Sequence, residues 1–205
     1  MRHVWMVLLV LTFATTCFSQ EYFLQPKISV GGSAGFFRIS YDNYSSLYSS
    51  RWSEPYGGYI SIKIPVGGFS LLGKYKQFEK DGKSVASGTN MTRANWQESW
   101  YNIGIRTYSG SFRRTSSFYG FGVAFFNIKE NAQAALLLNP EDSNESKSGN
   151  GFFLEAGVQR RFNRRMSMFF EFEATSGGIG GKTVLEGQSI GGLFFGLGIS
   201  LNLIY

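Results

Sequence analysis

Glu171 and Glu173 stand two apart, the spacing that places two carboxylates on one face of an extended strand. Such a pair can share a proton for acid–base work or help to hold a metal ion. Neither chemistry is complete in the sequence, which supplies no nucleophile and no third ligand beside them. The only histidine, His3, and the only cysteine, Cys17, lie within the opening stretch MRHVWMVLLVLTFATTCFSQ. That stretch has a short basic head, an apolar run from Val4 to Ala14 and a small-residue exit, the pattern of a secretory signal peptide. The run is too short to cross a membrane as a helix.

Cleavage after Ser19 is expected, giving a signal over 1–19 and one domain over 20–205 that begins with Gln20. Cys17 invites lipid attachment, but Ala14-Thr15-Thr16 lacks the leucine-like residue usual three positions earlier. Without the signal the chain has no imidazole and no thiol. Histidine-dependent hydrolysis, Cys/His zinc sites and disulfide stapling are then excluded. We expect no enzyme, no catalytic residue, no cofactor and no metal site.

The remaining charges are set out by strand periodicity. Loss of Arg2 lowers the net charge from +6 to +5, and the pI is near 9.4. Export argues against nucleic acid as a partner for this basic chain; anionic lipid headgroups and lipopolysaccharide phosphates suit it better. Eight strands are predicted, at 27–39, 56–65, 69–79, 96–108, 115–128, 150–162, 166–175 and 190–205. In the last, Leu193, Phe195, Leu197, Ile199, Leu201, Leu203 and Tyr205 form an apolar face against Gly196, Gly198, Ser200 and Asn202. The same alternation sets Lys63, Glu98, Arg106, Glu155, Arg161, Glu171 and Glu173 on the other face. Mean hydropathy is only −0.11, as expected where alternation hides a lipid-facing side from averaging.

The connections alternate long and short without exception, from the long YDNYSSLYSSRWSEP to tight turns at Gly67-Gly68, Ser109-Gly110-Ser111 and Asn163-Arg164. Together these features predict an all-β fold, an eight-stranded antiparallel closed transmembrane barrel with short periplasmic turns and long outer loops. The charges would then face a narrow lumen, where their near balance predicts a salt-bridge network. That network either fills and stiffens the lumen or serves as a gate or proton path. Glycines at inward positions such as Gly157 and Gly198 leave room for bulky neighbours. Rings near strand ends (Tyr59, Phe69, Trp96, Trp100, Phe125, Phe152 and Tyr205) are expected in interfacial girdles.

Other signals are weaker. Gly177 to Lys182 lacks the spacing of a phosphate loop. The acidic residues Glu141, Asp142 and Glu145 read as a solvated loop, and Asn43, Asn90 and Asn144 match glycosylation triplets that chance supplies. The first outer loop is richer: Tyr44, Tyr48 and Trp52 have the composition of a contact surface, or of a segment folding onto the barrel mouth.

The signal peptide, the eight alternating strands and the end Leu201-Asn202-Leu203-Ile204-Tyr205 resemble the small outer-membrane barrels of the OmpA and OmpX type. Gln20 after the signal, with long polar loops, is similar to the PorT-like versions common in Bacteroidetes. The resemblance implies the outer membrane of a Gram-negative bacterium and carries no functional residue over. The expected function is a structural or interaction barrel, its outer loops or wall binding a surface ligand or other envelope proteins. The alternative is a small-solute or ion channel through the lumen.

Overall fold

β-branched and aromatic side chains at alternate positions favour extended chain. A computed structural model describes residues 26–40, 44–48, 50–65, 67–87, 90–109, 115–131, 146–179 and 189–204, nearly all of them as strand. The elements are β1 (Ile28–Ile39), the single helical turn α1 (Tyr44–Leu47), β2 (Trp52–Ser53), β3 (Tyr56–Lys63), β4 (Phe69–Ser87), β5 (Asn90–Ser109), β6 (Thr115–Asn131), β7 (Ser146–Arg161), β8 (Met166–Ile179) and β9 (Ser189–Ile204). The signal expected over 1–19, the acidic residues 141–145, Asn43 and Tyr205 lie outside the described residues.

β1 and β3 to β9 pair antiparallel in chain order. β9 then returns to β1, from Ile39↔Gly192 to Ile28↔Ile204, and closes an eight-stranded barrel. β2 lies beside the outer part of β1 through Phe37↔Ser53 and Arg38↔Trp52. The connection expected over 80–95 is largely strand, because β4 and β5 stay paired from Phe69↔Thr107 to Ser87↔Asn90, with one irregularity between Asp81 and Ser84. Where both faces of a ribbon are polar, the alternation that marks a half-buried strand disappears while backbone pairing continues.

Two turns show how local chemistry sets the short connections. Gly67 and Gly68 take φ of 84° and 70°, a region L side chains avoid, and the Ile64 N–H donates to the Phe69 carbonyl at 2.8 Å. In the β7–β8 turn the Asn163 side-chain oxygen accepts from the N–H groups of Arg165 and Met166, both at 2.8 Å.

The outer wall carries an exposed apolar belt. Phe152 is 72% exposed, Leu154 63% and Leu197 60%, part of a contiguous apolar surface of the kind that marks a membrane or partner contact. Along β9 the belt runs from Leu193 to Leu203. That length of strand at about 3.3 Å per residue, tilted about 45°, projects to roughly 25 Å, the height of a transmembrane barrel's apolar band.

Phe125 and Phe152 stand outward in this belt, and Phe69 is half-buried. Tyr59, Trp96 and Trp100, also expected at the interface, are buried in the lumen. Trp96 and Trp100 share the parity of Glu98, so the period that turns the carboxylate inward turns the indoles inward as well. Inward rings use the space left by glycine. A Cβ on Gly157 would overlap both the Phe118 ring and the Phe170 carbonyl. Gly157→Ala should therefore cost about 1–3 kcal/mol, read as a lower guanidinium midpoint at unchanged slope.

Candidate functional site

A charge in a narrow lumen is costly unless paired, and the centre of this barrel is a layer of paired charges. β7 and β8 contribute Glu155, Glu171 and Glu173; β4 contributes Lys74 and Lys76; β5 contributes Arg106. The Arg106 guanidinium grips Glu155 with two bonds, Nε to Oε1 at 2.6 Å and Nη2 to Oε2 at 3.0 Å. Lys74 Nζ donates to Glu155 and Glu171, each at 2.8 Å, and to Glu173. Lys76 Nζ lies 3.1 Å from Glu171 and 3.0 Å from Glu173. Neutral donors complete the shell: Ser33 to Glu171 at 2.7 Å, Trp100 Nε1 to Glu173 at 3.1 Å and Asn102 to Glu173 at 3.0 Å.

The cations and carboxylates of this layer are equal in number, three of each. Oxygens of Glu155, Glu171 and Glu173 lie within 4.8 Å of one another, close enough to share a cation. The third ligand that the sequence did not offer is thus Glu155, but the Lys74 ammonium sits on all three carboxylates. The trio binds a cation of the chain's own.

Aromatic layers bracket the charges. Toward the turn end, Arg106 lies 4.7 Å from the Tyr59 ring centroid and 4.4 Å from that of Phe118, and Phe169 packs edge-on against both rings. Toward the loop end, Lys76 Nζ lies 3.7 Å over Phe194, and Phe37 stacks on Trp100 at 5.0 Å with Phe78 against both. Above them Trp96 receives α1: the Tyr44 and Tyr48 rings stack at 4.5 Å and meet the indole at 5.3 and 5.8 Å. The lumen is thus filled by ring, charge, ring and plug.

Several site residues expected from the sequence are brought together here, and others are not. Glu98 is buried, its partner being the Trp96 indole N–H at 3.1 Å. Arg106, Glu155, Glu171 and Glu173 meet in the central layer. Lys63 and Arg161 do not join them; both are only half-buried at the strand ends beside the turns. Parity gives a side chain's face and not its depth, and at the end of a strand the inward face opens to water. Lys74 and Lys76 take the basic positions, a role the sequence reading missed. Their inward parity with Leu72 and Phe78 was the available signal, blurred by the paired leucines Leu71-Leu72.

The first outer loop also divides. Tyr44 and Tyr48 are fully buried and offer no contact surface, whereas Trp52 is 46% exposed. The two tyrosines fold inward because a single helical turn has no core of its own and finds one on Trp96. Trp52 borders a groove of about 520 Å³ with Phe36, Glu79 and Lys80. Glu54 and Glu79 also line a neighbouring groove of about 560 Å³, on the outer wall of β3 to β6 above the belt. There Gln77 donates to the Tyr56 hydroxyl at 2.6 Å and accepts from the Tyr75 hydroxyl at 2.6 Å.

The architecture has known counterparts. The chain is similar in structure to the Neisserial surface protein A, with a TM-score of 0.61 and 8% identity over 86% of this chain and 97% of that one. It is similar also to the outer membrane protein OprG from Pseudomonas aeruginosa (TM-score 0.51, 12% identity, 88% and 98% covered). Ail, the attachment invasion locus protein of Yersinia pestis, gives a TM-score of 0.50 at 12% identity, with 86% and 99% covered. At these identities the likeness is one of fold. No protein-family model and no curated protein sequence matches the chain.

Proposed function

We propose that this chain is an outer-membrane barrel with a structural or interaction role, exported by a cleaved signal peptide and set among lipid and lipopolysaccharide. The observation that carries the reading is the lumen itself. A balanced charge layer between aromatic layers, closed by α1, leaves the barrel wall and outer rim as the surfaces on which a partner can act. Eight strands enclose little more than their own side chains, and the packing described above uses that space. The outer-membrane location is supported by the apolar belt and by the fold shared with the outer membrane protein OprG. The likeness to the PorT-like group rests on the sequence features alone. The channel alternative draws no support from the packed lumen, and reconstitution in a planar bilayer should give conductance at background; discrete openings of the wild type would revive it.

The proposed contact surface is the rim around Trp52 and the adjoining groove at Tyr56, Tyr75 and Gln77, with an envelope protein or surface ligand as partner. Gentle detergent extraction of a tagged copy, followed by mass spectrometry, should recover a stoichiometric partner. The double variant Trp52→Ala, Gln77→Ala should retain heat-dependent mobility on SDS gels yet lose that partner by roughly tenfold or more, the scale of a hot-spot residue. Recovery of the same partner by the double variant would move the contact elsewhere on the barrel.

A further inference from the structure

The two ends of the barrel differ sharply in charge. At the turn end lie Lys27, Lys63, Arg160, Arg161, Arg164 and Arg165. Every acidic residue among the described ones is elsewhere: Glu98, Glu155, Glu171 and Glu173 in the lumen, and Glu54, Glu79, Asp81 and Glu130 toward the loop end. Among the described residues the loop end mixes signs, whereas the turn end carries bases alone.

Hydrogen bonds join the strand ends and the turn that carry these bases into one arc. The Asn202 N–H donates to the Arg165 carbonyl at 2.8 Å, and its side chain to the Arg164 carbonyl at 3.3 Å, tying the β7–β8 turn to β9. Lys27 N–H donates to Ile204 and Lys63 N–H to Lys27, both at 2.7 Å, carrying the arc across β1 to β3.

The depth of the arc points to its partner. Arg160 lies on the outward face in line with Val158 and opposite Met168, at the edge of the apolar belt. Exposed apolar side chains stand among the bases: Phe162, Ile64, Leu203 and Ile204. A surface for a water-borne acidic protein has no need of these. A membrane interface does, because aliphatic and aromatic groups enter the acyl region while long basic side chains keep their charge at phosphate level.

We infer that the turn end of the barrel is a binding arc for anionic glycerophospholipid, Arg160, Arg164 and Arg165 holding headgroup phosphates on the periplasmic side. The guanidinium fork suits a phosphate diester, which presents paired oxygens. The inference rests on the membrane-barrel reading proposed above.

The test uses the full mature chain, purified in a neutral detergent and given equal phosphatidylglycerol and phosphatidylcholine, with native mass spectrometry counting the lipids retained. The wild type should retain phosphatidylglycerol preferentially. The variant Arg160→Gln, Arg164→Gln, Arg165→Gln should bind it more weakly by about fivefold for each arginine removed, the attraction of one basic residue to an anionic surface. Lys83→Gln with Lys129→Gln, at the loop end, should leave the preference intact. A heat-shifting barrel that retains both lipids equally, or a triple variant that keeps the preference, overturns the inference alone. A wild type whose gel mobility ignores boiling removes the membrane-barrel reading and this inference with it.

Discussion

Glu173→Gln should destabilise the barrel by roughly 3–5 kcal/mol, the cost of removing one partner from a buried ion pair. Glu173 has more partners than any other residue of the central layer: Lys74 and Lys76 donate to it as cations, Trp100 and Asn102 as neutral groups. The amide keeps the shape and removes the charge, so two ammonium groups are left with less than their counter-charge in a space that water does not freely enter. Guanidinium unfolding in detergent, followed by tryptophan fluorescence, reads the loss. Lys76→Met added to Glu173→Gln restores the balance of signs, and should recover a large part of the stability even though it deletes further contacts. A loss for Glu173→Gln below about 1 kcal/mol would match an exposed pair and would mean that the layer is hydrated.

Trp96→Ala should be comparably severe, about 3–5 kcal/mol for truncating a fully buried indole, with a second effect at a distance. α1 has one turn, far below the length at which a helix holds itself in water, and Tyr44 and Tyr48 seat it on the Trp96 ring. Without the indole the first outer loop should become open to protease while the rest of the barrel stays resistant. Equal resistance of the loop in variant and wild type would show that α1 is held by something other than this ring. Glu98 loses its indole donor in the same variant, which adds the cost of a buried carboxylate without its bond.

The two variants also mark how far the sequence could be read. Parity alone puts Glu155, Glu171, Glu173, Arg106 and Glu98 on the inward face, and the strands that carry them were legible because one face of each is apolar and exposed while the other packs into the lumen. Depth along the barrel was not legible: Lys63 and Arg161 have inward parity and yet end near water, while Lys74 and Lys76 lie at the height where three carboxylates converge. Height depends on the stagger between strands three or four places apart, which no local pattern contains. The same holds for α1, whose burial depends on a ring nearly fifty residues further along the chain. The β4–β5 extension has no sequence signature for the opposite reason, since it needs no pattern beyond backbone pairing.

The closing seam of the barrel has a consequence for the order of events in folding. Neighbouring strands are hairpin partners and can find each other quickly, but β1 meets β9 across nearly the whole chain, from Ile28↔Ile204 to Ile39↔Gly192. Lys74 on β4 reaches its carboxylates on β7 and β8 only across the enclosed space, so before closure the open sheet has its charges solvated on one side and two unsatisfied edges. The last seam to form is therefore also the event that dehydrates the ions, and closure and ion pairing should appear as a single slow kinetic phase.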